Sequence, residues 1–527
     1  MTGRLRTTLL FLIVFGVSAA IRLPLSLRYT RLTPDAIAYY NIARNLADVH
    51  GFTSSLRLHY QGNSPVVHPA ISDWPPAYPL FAGLIVRCGG DVRTLQFANA
   101  LLISISVGLI FLVGCRLFDW RAGLIAGLAS AIAPNLSRAS ALALSDPLSL
   151  ALALSAILIY LSDRRLMSSL AVGLLCALAT LTRYPCAVVP VSIIVASVLS
   201  GKSRRYAVVC AGAFVCLVGP VVAWQAIVSG SPQAQAIHYY VRSYHEAMWS
   251  ARAQIDPLYA LHHPMTVMTE AARNCAFYAI DLLVGLRGLF LLALGLLFLK
   301  RNELSPDKRL VLTVAALSFC VYAVTWSIPA VRGSRFMLLS YCLLLPFCAA
   351  GFWLNLKSAG WRRRSAMALC AATACVYVWG TLSAYEFRGQ EFALSAPTTA
   401  AIVRDLPTGT CIASNNPWVV SYSTRMPTGL LPRDMDQSHL ARFVRDLNVG
   451  EVVLIGQHPR FQTARVLRGC YRNVMITRTV HMATVPRPIY GQNAYEGTWK
   501  MMPQIVQKLP STHSPSMIPR KNGNALR

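Results

Sequence analysis

Residues 94–116 read TLQFANALLISISVGLIFLVGCR. No charge interrupts them before Arg116, and 23 residues wound as a helix reach about 34 Å, more than the roughly 30 Å of bilayer hydrocarbon. Runs of the same character recur at 6–24, 120–135, 140–161, 166–182, 184–200, 205–228, 276–299, 309–329, 333–355 and 363–385. The composition agrees: 55% of the chain is hydrophobic and 13% charged, with a mean hydropathy of +0.47, against about 25% charged residues in soluble domains. The chain reads as an α-helical polytopic membrane protein of about 11 transmembrane helices.

The net charge is +28, yet its distribution argues against a nucleic-acid partner. Many basic residues sit in short clusters between apolar runs, such as Lys202-Ser203-Arg204-Arg205 and Arg362-Arg363-Arg364, as cytoplasmic loops do. With the N-terminus inside, every short inner loop carries Lys or Arg, and the outer loops (25–93, 136–139, 183, 229–275, 330–332) are poorer in clustered basic charge. The first run, with Arg4 and Arg6 before it, is like a signal peptide, but Arg22-Leu23-Pro24 follows where small residues would mark cleavage, so it reads as a retained helix. The expected placement is the inner (plasma) membrane, multi-pass, with a cytoplasmic N-terminus.

Three regions are expected. Residues 1–385 form the membrane domain, with a large first extracytoplasmic loop. That loop holds a helical stretch from Thr33 to about Asp48, then Pro75-Pro76-Ala77-Tyr78-Pro79 and an apolar run too short to span. Residues 386–506 alternate helix-like pieces (398–405, 437–447) with short apolar strands (410–414, 451–455, 474–480), which reads as a small α/β C-terminal extracytoplasmic domain. Residues 507–527 are basic and Pro/Ser-rich and are expected to be disordered. From residue 386 on there are 17 basic and 8 acidic residues. Most of the 14 cysteines lie in apolar runs, where Cys packs as a small hydrophobe; Cys411 and Cys470, in the tail, are the pair open to oxidation.

Ionisable residues near membrane depth are costly and so are candidates for chemistry. Asp35 follows Thr33-Pro34, where it favours the positive end of a helix and also stands as a general base just outside the membrane. Asp146, before Pro147, reads equally as a helix cap or as a second functional carboxylate. Arg138, Arg183, Arg332 and Arg335 all fall at outer ends of spans. One such arginine is ordinary, but four on one face suit an anionic ligand, because the guanidinium fork binds phosphate oxygens in pairs. The histidines of the outer loops match no metal spacing, and no metal or other cofactor is expected.

Several segments together resemble the GT-C superfamily of polyprenyl-phosphate-sugar-dependent glycosyltransferases, above all protein mannosyltransferases and the bacterial aminoarabinose and lipopolysaccharide-core sugar transferases. They are Pro34-Asp35-x-x-x-Tyr39-x-x-Ile42-Ala43, Trp74-Pro75-Pro76-Ala77-Tyr78-Pro79-Leu80, Ser145-Asp146-Pro147-Leu148, Leu181-Thr182-Arg183-Tyr184-Pro185 and Arg335-Phe336-Met337-Leu338. The resemblance covers about residues 1–385. It implies an inverting transfer of sugar from a polyprenyl-phosphate donor to a glycan, lipid or protein acceptor at the outer face. Asp35 would be the base or orient the acceptor, and Asp146 would assist. Arg183 and Arg335 would bind phosphate, and Tyr39 and Tyr78 would contact substrate. Ala36 stands where protein mannosyltransferases carry Glu, which points to the bacterial groups. Some superfamily members use a divalent metal; nothing in these residues demands one. A secondary transporter or lipid flippase is the first competing reading, although no internal repeat is seen and the charges lie at one face rather than midplane. A non-catalytic scaffold is the second.

Overall fold

The computed structural model describes residues 3–28, 32–58, 65–163, 165–199, 204–229, 259–286, 304–325, 335–386, 396–404, 406, 409–414, 416–431, 443, 445–453, 479–482 and 504–507. Among the described residues, five helices are long and apolar enough to cross a membrane: Arg4–Arg28, Val92–Leu117, Arg204–Val228, Leu338–Lys357 and Trp361–Ser383. Shorter apolar helices pack among them. In chain order the helices are α1 (Gly3–Arg28), α2 (Pro34–Ala47), α3 (Ala77–Arg87), α4 (Val92–Leu117), α5 (Trp120–Ala131), α6 (Pro134–Ala141), α7 (Asp146–Ser162), α8 (Leu166–Thr182), α9 (Val188–Leu199) and α10 (Arg204–Ser229). They continue as α11 (Pro264–Leu286), α12 (Pro306–Thr325), α13 (Leu338–Lys357) and α14 (Trp361–Glu386). The expected span 276–299 overlaps α11 as far as Leu286, and 287–303 lie outside the described residues.

The stretch quoted first becomes α4, the centre of the core, against which α1, α5, α6 and α7 all pack. Small residues let α4 and α5 approach closely: a Cβ added at Gly114 would stand 2.7 Å from the Cα of Gly123. Two breaks then shape one end of the core, and the apolar runs 120–135 and 140–161 concealed both. The first parts α5 from α6 at Ile132–Ala133, where Pro134 restarts the helix. Helix ends leave carbonyls without partners. Arg22, fully buried in α1, donates to the carbonyls of Ser130 and Ala131, each at 2.8 Å, and Thr381 of α14 donates to that of Ile132 at 3.0 Å. The second break, 142–145, is tied down from α4: Gln96 donates to the Ala141 carbonyl at 2.9 Å, and Asn99 to those of Leu142 and Leu144 at 2.7 and 2.9 Å. This fixes the start of α7, and with it Asp146.

The expected first-loop elements form. Thr33 caps α2 by accepting from the Ala36 amide at 3.2 Å, with Pro34 in the first turn. The short apolar run after Pro76 becomes α3, whose 11 residues rise only about 16 Å.

After residue 396 come helices α15 (Ala396–Arg404) and α16 (Pro417–Thr424) and strands β4 (Cys411–Ser414), β5 (Thr428–Leu430), β6 (Val449–Val453), β7 (Thr479–Met482) and β8 (Gln504–Gln507). The short pieces β5, β8 and α16 had no sequence signal long enough to read. The expected helix 437–447 lies mostly outside the described residues, as do Cys470 and all of 507–527 except Gln507. The sheet order is β2-β5-β4-β6-β8-β7, and its first strand, β2 (Leu56–Arg57), comes from the first loop and pairs in parallel with β5. One apolar cluster joins Leu32, Ile37 and Leu56 of that loop to Val92, Trp418 and Leu430. The boundary expected at 386 is thus crossed by a shared strand and a shared core.

A buried pair pins this loop. His68, on β3 (His68–Pro69), shares a 2.7 Å hydrogen bond with Asp73; the two are 3% and 8% exposed. Burial pulls the His68 pKa down, but the hydrogen bond and charge of Asp73 prevail and hold it above the ordinary value. A proton bound more tightly in the folded state adds stability that is complete below about pH 6.5 and lost as pH rises through the raised value. His68→Gln should therefore flatten the pH dependence of the melting temperature in detergent. Parallel pH profiles for wild type and variant would contradict the assignment.

Candidate functional site

Four side chains from four distant segments meet at one end of the bundle. Asp35, in the first turn of α2, accepts from Nη2 of Arg335 at 2.6 Å across 300 residues of sequence. Asp146, the first residue of α7, accepts through Oδ1 from Nη1 of Arg183. Arg183 terminates α8 in extended backbone, and Arg335 lies just before α13. Arg335 is within electrostatic range of both Asp146 and Arg183, so the two ion pairs form one cluster. Phe336 binds them further: the Arg183 and Arg335 guanidiniums lie 5.6 and 4.9 Å from its ring centroid. A cleft of about 360 Å³, counted with the open solvent at its mouth, is lined by Asp146, Ser149, Arg183, Tyr322, Arg335 and Phe336 among others.

The two carboxylates differ in access. The Asp35 side chain is 31% exposed and that of Asp146 only 5%. Asp35 is therefore open to a partner from solvent, while Asp146 works from within the protein. Asp146 Oδ2 and Arg335 Nε are buried with no hydrogen-bond partner among the described residues. A buried acceptor and a buried donor at one cleft leave capacity for a polar ligand.

Tyr39 and Tyr78 occupy another position. Tyr39 is buried, its hydroxyl 3.1 Å from that of Ser145 and its ring packed on Trp74 and Tyr78 at 4.7 and 4.9 Å. Burial pushes its phenol far above the usual range, so it stays neutral. Ser145 thus joins the first loop to the start of α7 rather than capping that helix. Tyr78 is fully enclosed and accepts from Asn99 at 3.1 Å. Neither tyrosine lines the cleft; both hold Asp35 and Asp146 in register. Arg138 is exposed on α6, and no described contact joins it to the cluster. Arg332 lies outside the described residues. Tyr322 was not anticipated, because an aromatic within the apolar run 309–329 carries no signal beyond hydrophobicity.

Comparison with known proteins bears on this geometry. Residues 73–224 match the family model described as dolichyl-phosphate-mannose-protein mannosyltransferase. The matched segment includes Asp146 and Arg183 and begins after Asp35-Ala36. No curated protein matches the sequence. ArnT from Cupriavidus metallidurans in the apo state superposes with a TM-score of 0.56 at 14% identity, over 96% of this chain and 99% of that one. The same protein bound to undecaprenyl phosphate gives 0.53 at 15% identity, with the same coverage of both chains. The oligosaccharyltransferase AglB of Archaeoglobus fulgidus, in complex with an inhibitory peptide and a dolichol-phosphate, gives 0.54 at 13% identity, over 84% of this chain and 69% of that one. The family model thus matches residues 73–224, and the chain shares the fold of ArnT and AglB.

The buried pair sets a stability test. Asp146→Asn strands the Arg183 guanidinium, only 15% exposed, and should cost about 3–5 kcal/mol. Adding Arg183→Gln should recover part of that loss. A single variant that melts with the wild type would contradict the pairing.

Proposed function

We propose that this chain is a GT-C glycosyltransferase that transfers a sugar from a polyprenyl-phosphate donor to an acceptor hydroxyl or amine at the extracytoplasmic face, with inversion at the anomeric carbon. The carrying observation is the cluster of Asp35–Arg335 and Asp146–Arg183, in which Asp146, Arg183 and Arg335 line one cleft and Asp35 is paired to it through Arg335. The polyprenyl phosphate named with the ArnT and AglB structures supports a lipid-phosphate leaving group here.

The chemistry follows from access and charge. The exposed carboxylate, Asp35, takes the acceptor proton as its oxygen or nitrogen attacks the anomeric carbon. The bond from that carbon to the phosphate oxygen breaks, and its electron pair leaves with the lipid phosphate. Arg335 and Arg183 stabilise the charge that grows there, in surroundings where a fixed guanidinium acts more strongly than in water. The Arg335–Asp35 contact links the two events: as Arg335 turns toward the phosphate, Asp35 loses a counter-charge and becomes the better base. Asp146 holds Arg183 in place from the buried side.

No resident metal enters this reading. A divalent cation, as some superfamily members use, would have to sit against the Arg183 and Arg335 guanidiniums, whose charge opposes it. The basic loops between spans support a cytoplasmic N-terminus, which puts the cluster and the C-terminal sheet outside. Ala36 after Asp35 supports a glycan or lipid acceptor over a protein one.

The test is release of polyprenyl phosphate by purified protein from a panel of radiolabelled polyprenyl-phosphate sugars, with wild type beside Asp35→Asn. Asn keeps the shape and hydrogen-bonding capacity but takes no proton. Wild-type release with one donor, and a loss of about 10²-fold or more in the variant, is expected. Equal release by both would remove Asp35 from the role of base, and no release with any donor would overturn the transferase reading.

A further inference from the structure

A second cluster lies where the first loop meets the C-terminal sheet, on the far side of α2 from the catalytic carboxylate. Arg44 follows Asp35 by nine residues, about 13 Å along the helix and on its opposite face. Arg425 ends α16 in left-handed backbone, with φ of 61°, which turns the chain sharply at that point. The guanidiniums of Arg44 and Arg425 repel each other, and burial followed by that repulsion lowers the Arg44 pKa. Asp48 and Asp91 contribute to the field here, but neither arginine forms an ion pair with a described residue. Two like charges held together, Arg44 half-buried and Arg425 exposed, are offset only in part by Asp48 and attract an anion.

The flanking residues narrow the ligand class. Tyr40 and Tyr422 are half-buried, with ring centroids 6.1 Å apart, and Asn41 reaches Ser421 at 3.4 Å across the same seam. Burial raises both phenols above their usual range, so both remain neutral donors. Arg93, exposed at the start of α4, adds positive charge beside Tyr422. Neutral hydroxyls, partly open ring surface and paired guanidiniums suit a sugar bearing carboxylate or phosphate better than a bare ion.

We infer that the seam between α2 and α16, formed by Arg44, Arg425, Tyr40 and Tyr422, binds an anionic saccharide that belongs to the acceptor. This rests on the transferase reading for its purpose but not for its detection. The site holds the body of an extended acceptor while the reacting group presents itself at Asp35, and it selects acidic acceptors by charge.

The test uses the full chain in zwitterionic nanodiscs, with an oligogalacturonate and a neutral malto-oligosaccharide of equal length as probes. The acidic probe should bind at least about tenfold more tightly than the neutral one and weaken with salt. Arg44→Gln with Arg425→Gln should remove that preference, while Arg44→Lys with Arg425→Lys should keep most of it. Equal binding of the two probes, or binding indifferent to the Gln pair, would overturn the inference. So would an arginine-dependent response to phosphatidylglycerol in the disc with none to oligogalacturonate, because the anion would then be a lipid headgroup. Polyprenyl phosphate release is read in the same preparation. Failed probe binding with release intact rejects this site alone, and failed release with binding intact rejects the transferase reading alone.

Discussion

A charge taken out of water must find an opposite charge, and this requirement arranges one end of the helix bundle. Asp146 is nearly buried and Arg183 largely so, and each is tolerable only because the other is there. The pair ties the start of α7 to the end of α8. Asp35 and Arg335 do the same between the first loop and the segment before α13. Because Arg335 is also within range of Asp146, the four groups form one cluster in which any new anion or proton is felt by every member.

The supporting structure keeps those charges where they are. The helix ends near the cluster expose carbonyls at two breaks, and buried polar side chains satisfy them: Arg22 at the end of α5, Gln96 and Asn99 at the loop before Asp146. The ring stack of Trp74, Tyr39 and Tyr78 fills the gap between α2, α3 and the start of α7. The cleft left open is lined by Asp146, Arg183 and Arg335 among apolar side chains such as Leu150, Leu338 and Leu339, and the more reachable carboxylate, Asp35, is paired to Arg335. Asp35, with a side chain 31% exposed, is open to solvent, whereas Asp146, at 5%, is enclosed with the arginine it holds.

The long elements were legible in the sequence because twenty or so apolar residues have one low-energy solution in lipid. The candidate carboxylates and two of the four arginines were legible for a related reason: charge at the end of an apolar run is expensive enough to stand out. Arg183 and Arg335 join the cluster, whereas Arg138 is exposed on α6, because a one-dimensional reading gives the depth of a residue and not the face of its helix. Arg22 looked like the end of a signal-like helix and is instead a buried cap, a role that depends on carbonyls more than 100 residues away. The breaks inside 120–161 were hidden because Ile132, Ala133 and residues 142–145 are as apolar as the helices they separate. The strand that the first loop lends to the C-terminal sheet is two residues long and has no periodicity to detect.

The central claim is that the two arginines at the cleft receive the phosphate of a lipid carrier. A cryo-electron microscopy structure of the protein with bound polyprenyl phosphate tests it directly. The account predicts the phosphate within hydrogen-bond distance of Arg183 and Arg335, with Arg335 drawn away from Asp35. A phosphate seated elsewhere, with both ion pairs intact, would contradict it.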